Sequence, residues 1–392
     1  MSTLRQIYNK LFATRLAVRN LQEQVNQLQA SQQREMEALH RRVSESTDSL
    51  GAYIQQADNG INGNLNTKVD RVIMPLLHTI EGTLDAHDVR SEIFGWNTYR
   101  KDDETLIEAK RRFFRELPPA HGNARLIQLV TAQLLRDFDQ FCQENDIAYW
   151  LEFGTLLGAV RHGGFIPWDD DVDLGMVRPE VARLEEAVAK DSRYIITHVF
   201  DRYAKCEQIR FRYTDETIPC FLDIFVFDAA QKPTRELVDE LREIRHQLTD
   251  ELDSDERFAF WSQTPYLDSR DSASEALKAR YEKAIADTHA SGLFADQDKA
   301  TALIWGVENF DFLTMVKGNY AYDDVFPLIR IPFEGHLCYA PHNAEKLLAQ
   351  SYGDYLAVPH DIRTHYKHID QTLVDDEDTQ EILHKALRES QA

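Results

Sequence analysis

Residues 169–173 read Asp-Asp-Asp-Val-Asp and run directly into Leu174-Gly175-Met176. Four carboxylates in five positions are an odd start for an ordinary buried strand, because ionised groups leave water only when paired or bound to a cation. In a strand over 171–176, Asp171 and Asp173 face the same side. Two carboxylates that close repel each other unless a hard divalent cation lies between them. Mg²⁺ held by one or two carboxylates plus substrate phosphates has that form. The segment therefore reads as a metal site or, failing that, as a solvated acidic turn. Asp169 and Asp170, ahead of the strand, read as loop residues that cap a turn.

The flanking sequence supports the first reading. A helical period over 124–145 places Leu126, Leu129, Val130, Leu134, Phe138 and Phe141 on one face. Ile147 to Leu151 reads as a strand, and Gly154 and Gly158 flank a turn into a helix. His162 to Trp168 is a loop by its glycines and proline. A third acid lies further on, in the apolar strand Ile218 to Asp228. Asp223 at its centre is costly to bury ionised unless a cation or hydrogen bonds meet it. Asp228, at the strand end, reads as a turn residue.

The stretch GTLLGAVRHGGFIPWDDDVDLGM, residues 154–176, resembles the signature of the LicD/fukutin-related family of the nucleotidyltransferase-fold superfamily. The blocks Ile331-Pro332-Phe333-Glu334-Gly335 and Leu347 to Pro359 resemble that family's C-terminal blocks, so the likeness spans about residues 124–370. It implies an α/β (α+β) nucleotidyltransferase-like catalytic domain with a mixed sheet and helical insertions. It also implies transfer of a substituted phosphate (phosphocholine, ribitol phosphate or glycerol phosphate) from a CDP-activated alcohol donor to a glycan acceptor, with release of CMP. Lipopolysaccharide, capsule and teichoic acid are acceptors of that class. On this pattern Asp171, Asp173 and Asp223 would hold Mg²⁺, with Mn²⁺ as a substitute, and Asp223 is either a ligand or the base. Thr155 stands where the superfamily has a smaller residue, and the gap from turn to acids is the longer one typical of this family. Nucleotidyl transfer by the same fold and an inactive assembly scaffold are the alternatives.

Further substrate-binding candidates follow from position. Gly154 and Thr155 offer backbone amides and a hydroxyl to phosphate at a helix start. Arg161 and His162 lie between the turn and the metal strand. Arg210 and Arg212 alternate in a strand one hairpin-length before Asp223, so they share a face. Glu334 lies beside Gly335-His336, and His365 is an acid/base candidate.

The N-terminal fifth reads differently. Leu4, Ile7, Leu11, Val18, Leu21, Val25 and Leu28 step by threes and fours, and Met36, Leu39, Val43 and Leu50 resume the series after a stutter. Some 50 helical residues make a rod of roughly 75 Å that needs a partner copy. The expected organisation is a coiled-coil oligomerisation stalk over 1–58, neck and linker helices over 59–103, with a linker from Gly95 to Asp103, and a catalytic domain over 104–392. Residues 231–300 form a helical insertion, and homo-oligomerisation runs through residues 4–50.

Charge separates the same two parts. Residues 1–58 hold 7 basic and 6 acidic side chains, while the remainder holds 37 and 60, giving a chain total of -22. That balance argues against nucleic acid or an anionic membrane surface as the main partner. Four scattered cysteines without a CxxC pair indicate neither zinc nor disulfides. No apolar leader opens the sequence, and the longest strongly apolar stretch, around Phe221 to Phe227, is far short of a membrane span. The expected setting is cytoplasmic, with peripheral association at the inner face of a membrane carrying the glycan assembly.

Overall fold

The computed structural model describes residues 91–392 apart from 232–234, 291, 293, 310–318, 360–368, 370–375 and 390–392. It also describes positions 34, 36–39, 41–47, 49, 50, 74, 78 and 79. The chain divides into two units, Met1–Arg100 and Lys101–Ala392. In the first, the described positions between 36 and 50 are helical, and most of the expected heptad series lies outside the described residues. Residues 91–99 are helical as well. Gly95 thus sits inside a helix rather than in the linker expected there, because nothing in Ser91–Tyr99 other than that glycine opposes the helix.

The second unit opens with α1, Leu106–Glu116, whose first turn is closed by a reciprocal cap between Thr105 and Glu108. The long helix α2, Gly122–Glu144, follows. Its Leu134, Leu135, Phe138 and Phe141 enter the main core, while Leu126, Ile127 and Val130 meet Ile218, Cys220 and Phe221. Next come β1 (Trp150–Leu151), α3 (Phe153–Arg161), β2 (Asp173–Val177) and α4 (Arg178–Val188). The sheet continues with β3 (Tyr194–Asp201), β4 (Cys206–Tyr213) and β5 (Leu222–Ala230).

The β5 strand organises the sheet. One edge pairs in parallel with β2, and the other pairs antiparallel with β4 through Ile209–Phe211. Beyond that contact β4 diverges, and β7, Ala302–Trp305, takes up Phe227–Ala230. Antiparallel partners extend the sheet on both sides: β1 on β2, β3 on β4, β6 (Tyr266–Asp268) on β3, and β8 (Asn319–Ala321) on β7. The result is an α/β fold with a mixed sheet.

Helices α5 (Arg235–Ser254) and α6 (Glu275–Ala290) build a satellite core on the β3–β6 edge, where Leu248, Trp261 and Tyr281 close over Phe200. After the short α7 (Tyr322–Val325), the hairpin β9 (Ile329–Phe333) and β10 (His336–Ala340) packs against α2 and α3. Finally α8 (Ala344–Tyr352) packs on α3, and α9 (Glu377–Glu389) lies along α2. Asp228 is not the turn residue its position suggested. It pairs with Ile304 inside β5, buried, with both oxygens on Arg178 at 2.6 Å. That bidentate ion pair makes burial of the charge tolerable.

Candidate active site

The turn from β1 into α3 builds one wall of the site. Glu152 donates its N–H to the Asp173 carbonyl at 3.0 Å, and the Asp173 N–H donates to Thr155 Oγ1 at 2.8 Å. These two bonds lock the start of α3 to the start of β2. Phe153 has φ +40°, a left-handed conformation that places the following backbone sharply against the acidic loop. A Cβ at Gly154 would lie 2.9 Å from Asp169 Oδ2, so the absence of a side chain allows this approach.

The parallel pairing of β2 and β5 builds the other wall. Asp173 stands opposite Asp223 in that register, and the Asp223 N–H donates to the Val172 carbonyl at 2.8 Å. Carboxylate oxygens of Asp171, Asp173 and Asp223 all lie within 4.8 Å of one another. The strand starts at Asp173 rather than Asp171, so Asp171 reaches the cluster from the loop. Asp169, Asp170 and Asp171 form an overlapping group at the same spacing. Asp169 and Asp170 lie in the loop ahead of β2, as expected, and are buried like Asp171 and Asp223, while Asp173 is half-buried; Asp170 Oδ2 accepts the Ile369 N–H at 3.3 Å.

Burial, followed by the negative charge of Asp169 and Asp223, pushes the Asp171 carboxyl well above the usual carboxylate range. A cluster in which one acid is driven to hold its proton is short of positive charge. A hard divalent cation with oxygen ligands fits this donor set, and its charge would reverse that shift.

Arg210 supplies cationic support from the β4 side. Its Nε donates to Asp223 Oδ1 at 2.9 Å, its Nη2 donates to Gln208 Oε1, and its Cζ lies 3.9 Å from the centre of the Phe221 ring. Arg210 therefore fixes the rotamer of Asp223 and leaves Oδ2 outside this bond. Arg212, two residues on, makes no hydrogen bond or ion pair among the described residues, and its Nε is buried.

The remaining sequence candidates fall elsewhere. Arg161 is buried, donates to the Tyr355 carbonyl at 2.9 Å and packs 4.3 Å over Phe114, with desolvation holding it down at about 10. His162 packs edge-on between Phe114 and Trp168, and burial with the neighbouring Arg161 lowers it to about 3. Both contacts join α1 to the glycine loop. Glu334 sits in the β9–β10 turn and receives Arg125 at 2.7 and 3.0 Å and the Phe165 N–H at 3.1 Å. Arg125 in turn donates to Gln128, whose amide donates to the carbonyls of Ile166 and Asp169. Through this chain Glu334 braces the loop that delivers the acids. His365 lies outside the described residues.

Two groups near the acids escape a reading of the sequence. Glu152 is buried behind the turn, accepting from Trp150 Nε1 at 2.5 Å and Tyr320 Oη at 2.7 Å, and desolvation lifts it to about 7. Tyr352, at the end of α8, is 44% exposed. Desolvation and the field of Asp173, Glu152, Asp169 and Asp171 raise its phenol. No signal in the local sequence marks either one, because both arrive through packing of distant elements.

Comparison with known proteins matches residues 146–252 to the LicD/FKTN/FKRP nucleotidyltransferase domain. The chain is 26% identical over 255 residues to a lipopolysaccharide cholinephosphotransferase LicD of Haemophilus influenzae, covering 59% of this chain and 91% of that one. It is 36% identical over 72 residues to ribitol 5-phosphate transferase FKRP of Homo sapiens, covering 18% of this chain and 14% of that protein. A stretch of 73 residues is 36% identical to mannosyltransferase regulator 4 of Saccharomyces cerevisiae, 5% of that protein's length. Among the described residues, no helix is long and apolar enough to cross a membrane.

Proposed function

The chain carries a nucleotidyltransferase domain of the LicD/FKTN/FKRP family, and we propose that it transfers a phospho-alcohol from a CDP-activated donor to a hydroxyl of a cell-surface glycan, releasing CMP. The observation that carries this reading is the convergence of Asp171, Asp173 and Asp223 on one point from a loop and two parallel strands. Phosphoryl transfer leaves a protein little covalent work, so positioning and charge compensation supply most of the rate.

A divalent cation bound there would offset charge on the diphosphate and the leaving nucleotide. Asp171, Asp173 and Asp223 would hold it, and the other steps belong to the chain's own groups. Arg210 orients Asp223, which acts either as a ligand or as the acceptor of the attacking hydroxyl's proton. The amides at the start of α3, opened by Gly154, and the Thr155 region lie beside the acids, where a phosphate oxygen is received at a helix N-terminus. Glu334, through Arg125 and Gln128, keeps the loop from Gly163 to Asp169 in register with that helix.

The domain organisation proposed with this function is a stalk over 1–58 that joins copies of the chain, a neck over 59–103 and a catalytic domain over 104–392. The placement proposed is cytoplasmic, next to a membrane-borne glycan. The test is incubation with CDP-choline, CDP-ribitol and CDP-glycerol in the presence of a glycan acceptor and Mg²⁺, read by CMP release and product mass. A product heavier by a phospho-alcohol supports the reading. A product heavier by a nucleotide overturns it in favour of nucleotidyl transfer.

A further inference from the structure

Arg212, a substrate-binding candidate by sequence, has an unpartnered guanidinium to which the proposed donor site gives no role. Its Nε is buried with no hydrogen-bond acceptor, and no ion pair meets any part of the side chain among the described residues. Desolvation and the charges of Arg270 and Arg210 disfavour its cation, and the more distant carboxylates of Asp268 and Glu216 offset only part of that. The nearby carboxylates are taken: Arg270 grips Asp268 at 2.8 and 2.9 Å and reaches Glu216 at 2.5 Å. A partly desolvated guanidinium with no carboxylate in contact is costly unless an anion completes it.

Its position limits what that anion can be. Arg212 is on the same face of β4 as Arg210, about 7 Å further along the strand, and Arg210 is occupied by Asp223. The donor diphosphate is accounted for at the carboxylate cluster. The rest of a CDP-alcohol offers no second anion, since glycerol and ribitol are neutral and choline is cationic. In the phosphotransfer reading the acceptor approaches this same face to reach the donor.

We propose that Arg212, backed by Arg270, docks an oxyanion carried by the acceptor, so that the glycan modified is an anionic one bearing a phosphate-like group near the reacting hydroxyl. Assigning the anion to the acceptor rests on the phosphotransfer reading, whereas the anion site itself does not.

Two experiments separate these parts. Inorganic phosphate is titrated calorimetrically into the full chain in EDTA. Wild type should bind, Asp171→Asn should bind as well as wild type, and Arg212→Gln should bind at least about ten-fold more weakly. Arg270→Gln should also weaken binding, because it releases Asp268 to pair with Arg212, and it serves if Arg212→Gln fails to fold. Absence of binding by folded wild type, or equal binding by Arg212→Gln, overturns the site whatever the turnover assays give. With an active donor–acceptor pair, Arg212→Gln should raise the acceptor KM about ten-fold with the donor KM unchanged, and Arg212→Lys should recover part of the loss. A rise in donor KM alone overturns the assignment to the acceptor.

Discussion

Asp173 and Asp223 face each other across the parallel pairing of β2 and β5, and the neighbouring loop brings Asp171 to the same point. The arrangement concentrates negative charge in a buried place, which is a cost to the fold when no cation is present.

Asp171→Asn should therefore stabilise the chain in EDTA, raising Tm by a few degrees, and abolish phospho-alcohol transfer. Scanning calorimetry with and without Mg²⁺ checks the first part. A lower Tm in EDTA would show that Asp171 serves the fold rather than the site.

Glu152 gives a stability prediction with a defined pH window. Burial raises it from 4.5 to about 7, so the native state binds the proton more tightly than the unfolded chain. Its contribution is fully present below about pH 4.5 and is lost as pH rises through about 7. Glu152→Gln should gain on wild type by roughly 2–3 kcal/mol in unfolding free energy between pH 5 and pH 8. A pH-independent difference contradicts the burial argument.

Gly175 is opposite Trp150 in the β1–β2 pair, and a Cβ there would lie 2.2–2.6 Å from the indole. Trp150 is fully buried and held by Glu152, so it has no room to move. Gly175→Ala should cost roughly 2–4 kcal/mol in chemical denaturation, the range of overpacked cores and displaced buried groups. A cost under about 0.5 kcal/mol would mean that the β1–β2 packing is wrong.

Glu334 braces the acidic loop from a distance, so its loss should act on rate more than on substrate affinity. Glu334→Ala removes the counter-charge of Arg125 and the acceptor of the Phe165 N–H and should destabilise by about 1–3 kcal/mol. It should lower kcat at least ten-fold with donor KM little changed. A selective rise in donor KM would instead make Glu334 a substrate contact.

How much of this was legible follows sequence distance. The turn at Gly154-Thr155, the acids at 171 and 173 and the acid of an apolar strand at 223 are each local patterns, and the pairing of β2 with β5 joins them. Glu334 reads as a substrate contact in the sequence because its partner Arg125 is 209 positions away. Asp169 and Asp170 read as loop residues capping a turn, and their burial has no local signature because it depends on α2 and on residue 369. Arg161 shows the same limit: its charge is spent on Tyr355 and Phe114, contacts that no periodicity reveals.

Asp171, Asp173 and Asp223 are proposed to form a divalent-metal site for phosphoryl transfer. Calorimetric titration of Mg²⁺ into the metal-free chain tests it most directly. Wild type should bind saturably, and binding should be lost in Asp171→Asn and Asp223→Asn, both still folded. A folded wild type that takes up neither Mg²⁺ nor Mn²⁺, with or without a CDP-alcohol present, would contradict it.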